Sequence, residues 1–370
     1  MNDLNNVQQA AVLKLLHALI DQDAARVIVP AYEPRAGFWF GGGNLTEDDA
    51  GTLWLVGRYR NFGDSRTGLG AGERGLECAL FRSTDRGASF EKVRSWSKTD
   101  LTGDYAEVLS IEGTALNRLG DGSWELFVST ERARDYPEEY AGYQKPGTGV
   151  WGIERLRGAS PDTLDATTLQ SVLDSNTPEA LHVKDPSILT SGDAAELIFC
   201  SHPISWASSN TGLAARASAD EQLTVRSWQL VPRGTVWDVA VTRVTGSMHL
   251  PRSGVLADAP AGTILFYDGA ESLRQLDENP NALKRPRGFS CEELGGAMWA
   301  PQGVPGAAQR LSATAPLFLS PHGFRTSRYV NVLETADGLR AIWQQSQPDG
   351  SQPLVMNELP SSAVTEILAS

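Results

Sequence analysis

The chain has 370 residues and a formal net charge of −13, with only 21% charged side chains but 36 Gly, 20 Pro and 10 Trp. Such acidity repels a phosphate backbone, and no basic run with interleaved aromatics is present, so nucleic acid is excluded as an expected partner. Abundant Gly, Pro and Trp with few charges speak for many short strands and tight turns, and one all-β barrel or propeller accommodates this length.

Leu4, Val7, Ala11 and Leu15, with Val12, Leu16 and Leu19, follow helical spacing behind Asn2 or Asp3 as a cap. They predict a helix within residues 1–24, packed on a single domain formed by 25–370. Asp3 and Lys14 interrupt the apolar positions that a signal peptide would need, and no stretch reaches a membrane span. Cys78, Cys200 and Cys291 are far apart and odd in number, without metal-ligand spacing. The expectation is a cytoplasmic protein with buried thiols and no membrane partner; its oligomeric state is left open.

From Val27 onward the pattern changes to apolar runs of about five residues between turn residues. A loose repeat joins them: a polar residue opens one strand, a Gly/Asp turn follows, and a second apolar strand returns. Its copies begin at Gly43-Asn44-Leu45, Glu112-Gly113-Thr114, Lys184-Asp185-Pro186, Trp237-Asp238-Val239 and Ser327-Arg328-Tyr329. Five copies predict a five-bladed β-propeller with a short N-terminal helix. In such a ring the openings Asn44, Glu112, Asp185, Asp238 and Arg328 are expected at one end of the central channel.

Cleaving a glycosidic bond takes a carboxylic acid to protonate the leaving oxygen and a carboxylate to activate water or attack the anomeric carbon. Acids crowded at a channel mouth supply both, because mutual repulsion keeps one of them protonated. Glu112 is read as the general acid, Asp238 as base or nucleophile, and Asp185 as the group that orients the acid. Arg58, Arg60, Arg243 and Arg328 are read as neutralising this cluster or gripping a substrate carboxylate or sulfate. Glu131 pairs with these arginines in that reading, and Asp268 serves a turn or a sugar hydroxyl. Trp39, Trp151, Trp206 and Trp237 sit beside loop residues as candidate sugar-stacking faces. The segments Tyr136–Gly149 and Gln275–Gly295 are too long for hairpin turns and are expected to fold over the site. The five histidines draw no metal triad by their spacing.

Ser83-Thr84-Asp85-Arg86-Gly87-Ala88-Ser89-Phe90 resembles the Asp-box turn of sialidase-type propellers. There Asp85 accepts backbone N–H groups and Gly87 supplies a permissive φ, so Asp85 is expected to be structural. Together with Lys184-Asp185-Pro186-Ser187, Trp237-Asp238-Val239, Phe266-Tyr267-Asp268-Gly269 and Ser327-Arg328-Tyr329-Val330, the chain resembles bacterial five-bladed glycoside hydrolases of the arabinanase, xylosidase and fructosidase type. That resemblance implies a carbohydrate substrate, three catalytic carboxylates on consecutive blades and no organic cofactor, with a structural cation sometimes held in the channel. Asn44 departs from the pattern, standing on the first blade where those enzymes carry an acid. Two alternatives follow: a sialidase-like enzyme with Arg58, Arg243 and Arg328 as carboxylate clamp and Tyr329 as nucleophile, or a carbohydrate-binding propeller without catalysis.

Overall fold

The computed structural model describes residues 3–60, 74–271 and 293–369. It is a five-bladed β-propeller. Blade 1 is built from Trp39–Gly41 and Leu45–Glu47 as a split innermost strand, then Leu53–Arg60, Glu77–Ser83 and Glu91–Ser97. Blade 2 runs outward through Val108–Arg118, Trp124–Arg132, Val150–Gly158 and Asp165–Leu173, and blade 3 through His182–Thr190, Glu196–His202, Asn210–Ala215 and Thr224–Val231. Blade 4 comprises Val241–His249, Gly262–Ala270, Leu294–Pro301 and Gln309–Arg310. Blade 5 takes Ser327–Thr335, Gly338–Gln345 and Leu354–Pro360 from the end of the chain and its outermost strand, Arg26–Val29, from the beginning. That exchange closes the ring and hides the edge that Leu354–Pro360 would otherwise present.

The second strand of each blade reads as a continuous apolar run because both of its faces are covered. Leu126 packs toward blade 1 while Phe127 packs toward blade 3; Ile198 faces blade 4 while Phe199 faces blade 2; Leu265 faces blade 3 while Phe266 faces blade 5. The hydrophobic cores therefore lie between blades. Asparagines tie inner strands together across them: Asn44 exchanges two hydrogen bonds with the backbone of Leu116, and Asn117 does the same with Gly192.

Close approach in these layers depends on glycine at a few points. A Cβ at Gly212 would lie 2.2 Å from the ring of Phe199, which is itself held edge-on by Trp228. Gly212→Ala is therefore expected to lower stability by about 1–3 kcal/mol through overpacking, measured as a lower urea midpoint at unchanged slope.

Residues Asn6–Leu19 form the N-terminal helix. Its cap is Asn5, whose side chain accepts from Gln8 N while the Gln8 side chain accepts from Asn5 N. This corrects the expected cap, since Asp3 lies outside the reciprocal pair and Asn2 outside the described residues. A C-terminal helix, Ser361–Leu368, was not read from the sequence; Val364 and Leu368 bury beside Leu15, Leu256 and Trp343, sealing blades 4 and 5. Among the described residues no helix is long and apolar enough to cross a membrane. Cys78 and Cys200 are buried free thiols, and Cys291 lies outside the described residues.

At the outer hairpin of blade 1, Asp85 accepts hydrogen bonds from Ser83 Oγ, Ser89 N and Ser89 Oγ at 2.6–3.0 Å. Arg86 and Gly87 take left-handed φ values of 60° and 92°. Asp85 thus organises a turn far from the channel, and the three hydroxyl and amide donors hold its carboxyl down at about 2.

Candidate active site

The channel mouth is organised by bulges in the inner strands. Pairing with the second strand slips between Ile111 and Thr114 in blade 2, between Lys184 and Ser187 in blade 3, and between Arg328 and Asn331 in blade 5. Extra residues at these points bend the strand and re-aim a side chain. The equivalent first bulged positions are Glu112, Asp185 and Tyr329; in blade 1 the split strand places Gly42 and Gly43 there. Asp185 and Tyr329 adopt left-handed φ values of 52° and 54°, uncommon for non-glycine residues and characteristic of over-determined functional geometry. Pro186, which has no N–H to leave unpaired, fits beside the blade 3 bulge. Gly113 lets neighbouring bulges touch, since a Cβ there would lie 2.7 Å from both Cα and Oδ1 of Asp185.

Tertiary contacts then join side chains distant in sequence. Arg58, fully buried on the second strand of blade 1, holds Glu112 Oε2 through Nε at 3.0 Å and Nη2 at 2.9 Å, and its Nη2 also donates to Tyr329 Oη at 3.4 Å. Asp185 accepts from Gly113 N at 3.0 Å, Arg243 Nη1 at 2.9 Å and Tyr329 Oη at 3.5 Å, with Lys184 Nζ at 3.7 Å. Arg243 continues to Asp268 at 2.8 Å and Glu293 at 3.3 Å, and its guanidinium lies 4.4 Å from the centre of the Tyr329 ring. Glu293 pairs in turn with Arg328.

Burial works against every charge in this network, and the partners decide the outcome. Desolvation raises the Glu112 carboxyl, but Arg58 and Lys184 outweigh it and hold it below the usual range. Asp185 is pushed up by burial and pulled further down by Lys184 and Arg243, so it is firmly ionised. Glu293 is likewise opposed by burial yet held at about 2 by Arg328 and Arg243. Asp268 goes the other way: burial dominates over its bond to Arg243 and lifts it to about 6 from an ordinary 3.8. The folded protein therefore holds a proton there that the unfolded chain releases, so this group favours folding below about pH 4 and the benefit is lost as pH rises to about 6. Asp268→Asn is expected to flatten that part of the stability profile, checked by urea unfolding from pH 4 to 7.

Several residues expected together are separated. Asn44 does not reach the network, because both ends of its amide are engaged by Leu116. Asp238 precedes the inner strand of blade 4, which begins at Val241, and turns outward to Arg310 on the outermost strand at 2.6 Å. Trp237 is buried against Tyr267, with ring centres 5.4 Å apart, and forms core between blades 3 and 4. Glycine explains this placement: a Cβ at Gly269 or Gly296 would lie within 2.4–2.9 Å of the Trp237 ring. The Asp238 and Trp237 readings are corrected accordingly.

Other expected members do gather at the mouth. Glu131 accepts from Gly149 N at 2.8 Å and, in place of the arginines expected as its partners, pairs with Arg74 at 2.9 Å, burial raising its carboxyl. Arg60 lies over the Trp39 ring at 4.8 Å, as does Arg328. The segment 136–149 contributes Tyr136, whose hydroxyl meets His182 Nε2 at 2.6 Å, and a short 3-10 helix, Glu138–Tyr143. Of the second long segment, residues 275–292 lie outside the described residues, but Glu293 near its end reaches the network.

Lys184 and Glu293 were not anticipated as members, whereas Trp206 was read as a candidate stacking face. Lys184 Nζ lies over Trp151 at 5.3 Å and Trp206 at 5.7 Å. Trp206, itself at φ 55°, is flanked by the rings of His182 and His202 at 4.4 and 4.3 Å. Both histidines are kept neutral, first by burial and then by Lys184. Glu293 and Lys184 gave no signal in sequence because only tertiary contacts with Asp185, Arg243 and Arg328 bring them into the network. Among the described residues no group of three or more His, Cys, Asp and Glu is placed to hold a metal ion. A channel cation of the kind the family resemblance suggests does not fit a mouth already filled by Arg58, Arg243, Arg328 and Lys184.

No family model and no curated protein matches the sequence. Solved structures do match over nearly the whole chain. An α-L-arabinofuranosidase from Lactobacillus brevis aligns at 12% identity with a TM-score of 0.53, covering 91% of this chain and 93% of its own. The β-xylosidase RS223 aligns at 9% and 0.55, covering 91% and 95%, and a glycosyl hydrolase from Bacteroides ovatus at 12% and 0.52, covering 97% and 94%. With five four-stranded blades and a mouth built on inner-strand bulges, the chain therefore has the β-propeller fold of these arabinofuranosidase- and xylosidase-type proteins.

Proposed function

We propose that the protein is a glycoside hydrolase working at this mouth. The observation that carries the reading is the equivalence of Glu112 and Asp185: two buried carboxylates at the same bulged position of neighbouring inner strands, the charge of Asp185 raising the Glu112 carboxyl. Asp185, kept ionised by Lys184 and Arg243, is the carboxylate that activates the attacking group. Glu112 is the proton donor; it takes up its proton in the complex, where a sugar excludes water and draws Arg58 away from it. The fold likeness to glycoside hydrolases supports a carbohydrate substrate.

A second reading of the attacking group is favoured by Tyr329. Its hydroxyl lies 3.5 Å from Asp185 Oδ2 and its ring lies within 5.6 Å of the guanidiniums of Arg58, Arg243 and Arg328. Burial raises the phenol, so Asp185 would act as its base while the three cations stabilise the phenolate. An aryl-glycoside panel tests the proposal. Wild type is expected to turn over at least one member, and Glu112→Gln to slow poor leaving groups more than 4-nitrophenol, because only the former need protonation. A wild type that binds sugars and cleaves none of them overturns the hydrolase reading. Loss of turnover in Tyr329→Phe selects the tyrosine nucleophile, and its retention selects direct attack.

A further inference from the structure

Arg60 is anomalous among the buried cations. It is 7% exposed, on the same strand face as Arg58, and among the described residues it pairs with no carboxylate; its Nε, like that of Arg243, is also without a hydrogen-bond partner there. Every other arginine of the mouth has a carboxylate: Arg58 has Glu112, Arg74 has Glu131, Arg243 has Asp185, Asp268 and Glu293, and Arg328 has Glu293. Burial, reinforced by the nearby charges of Arg58, Arg74 and Arg328, outweighs the attraction of Glu112 and depresses the Arg60 guanidinium to about 10. Two further donors beside it lack partners, Nη1 of Arg58 and the indole N–H of Trp39, which are 2% and 4% exposed as residues. Trp39 carries all three groups together, its ring lying 4.8 Å from Arg60 and 6.0 Å from Arg58. A buried cation with no carboxylate among the described residues, beside buried N–H groups without acceptors there, is costly, and an anion removes that cost.

We infer that the substrate carries a carboxylate, as a uronic acid does, seated on Arg60 and Arg58 against Trp39. A planar carboxylate suits two adjacent guanidiniums, each able to offer paired N–H donors, and the Trp39 face suits the apolar side of the attached ring. The protein's overall charge of −13 gives no general attraction for anions, so selection for the acid falls to this local cluster. The inference rests on the reading of the mouth as a carbohydrate site.

The test compares sugars that differ only in carboxylate against hydroxymethyl: D-glucuronate with D-glucose and D-galacturonate with D-galactose. Each is titrated by calorimetry and thermal shift into the full-length wild type and Arg60→Gln. At least one uronate is expected to bind wild type about 10-fold or more tighter than its neutral partner and to raise the melting temperature. Arg60→Gln should abolish that preference while melting no lower than wild type, since it removes a buried charge that has no carboxylate partner among the described residues. Equal binding of uronates and neutral sugars, a preference that survives in Arg60→Gln, binding of glucose 6-sulfate alone, or a variant that melts well below wild type would each overturn the inference. Uronate preference without turnover of any aryl glycoside would keep it and overturn the hydrolase reading; turnover confined to neutral glycosides would do the reverse.

Discussion

Asp185→Asn is expected to lower turnover by about 10³-fold while leaving the propeller folded. Asparagine is the suitable replacement for a reason of backbone geometry. Residue 185 sits at φ 52°, and asparagine tolerates the left-handed region better than alanine or glutamine. Its amide oxygen retains an acceptor for Gly113 N, and Arg243 keeps Asp268 and Glu293 as counter-charges. What disappears is the ionised acceptor facing Tyr329 Oη and the channel. Turnover of the best aryl glycoside, measured beside a urea melt, checks this. Activity within about 10-fold of wild type would remove Asp185 from the mechanism.

The largest expected loss of stability lies at the other end of blade 2. Glu125 is fully buried six residues before Glu131 on one strand, which places it about 20 Å from the mouth at the ordinary strand rise. Arg216 reaches it from blade 3 with Nη1 at 3.0 Å and with Nη2, Arg155 and Arg157 approach at 3.3 and 3.1 Å, and Asn117 donates at 3.1 Å. Removing the carboxylate leaves three guanidiniums facing one another without their shared counter-charge. Glu125→Ala is expected to cost about 3–5 kcal/mol, as breaking a buried ion pair from one side does. The same support depends on pH: burial opposes the charge, but Arg216 and Asn117 hold the carboxyl below its ordinary 4.5. Its contribution is complete above that value and is lost as pH falls through the lower, folded one. Urea unfolding of wild type and variant at pH 7 and pH 4 should show the gap narrowing on acidification. Aryl-glycoside turnover of the variant, measured well below its melting temperature, should stay near wild type.

Much of this architecture was legible from residue order because a propeller repeats one local rule. Apolar runs such as Leu126-Phe127-Val128 and Leu197-Ile198-Phe199 must be covered on both faces, so five of them separated by turns imply a ring of packed sheets. Glu112 and Asp185 could be picked out since each is a lone acid before the apolar part of its inner strand, beside Gly113 or Pro186. Blade 4 escaped the rule. Trp237-Asp238-Val239 has the look of a strand opening, yet the strand begins at Val241, and two glycines on adjoining strands admit Trp237 into the core while Asp238 goes to Arg310. The C-terminal helix was missed for a related reason, its apolar residues Val364 and Leu368 being too few to show a period.

The sequence alone determined the five-fold repeat, the net negative charge, the N-terminal helix and two carboxylates beside Gly113 and Pro186, all of which follow from composition and short-range spacing; that these carboxylates lie at bulges inside their strands, and not at the strand openings expected, came from the structure. Only the tertiary structure decided which distant groups meet them. Bulges made Tyr329 the counterpart of Glu112 and Asp185, and strands from blades 1, 4 and 5 delivered Arg58, Arg243 and Arg328. Closure of the ring by Arg26–Val29 and the burial of Arg60 against Trp39 are likewise products of contacts between residues apart in the chain. Charge pairing in a buried mouth is set by which side chains converge there, and no local pattern encodes that convergence.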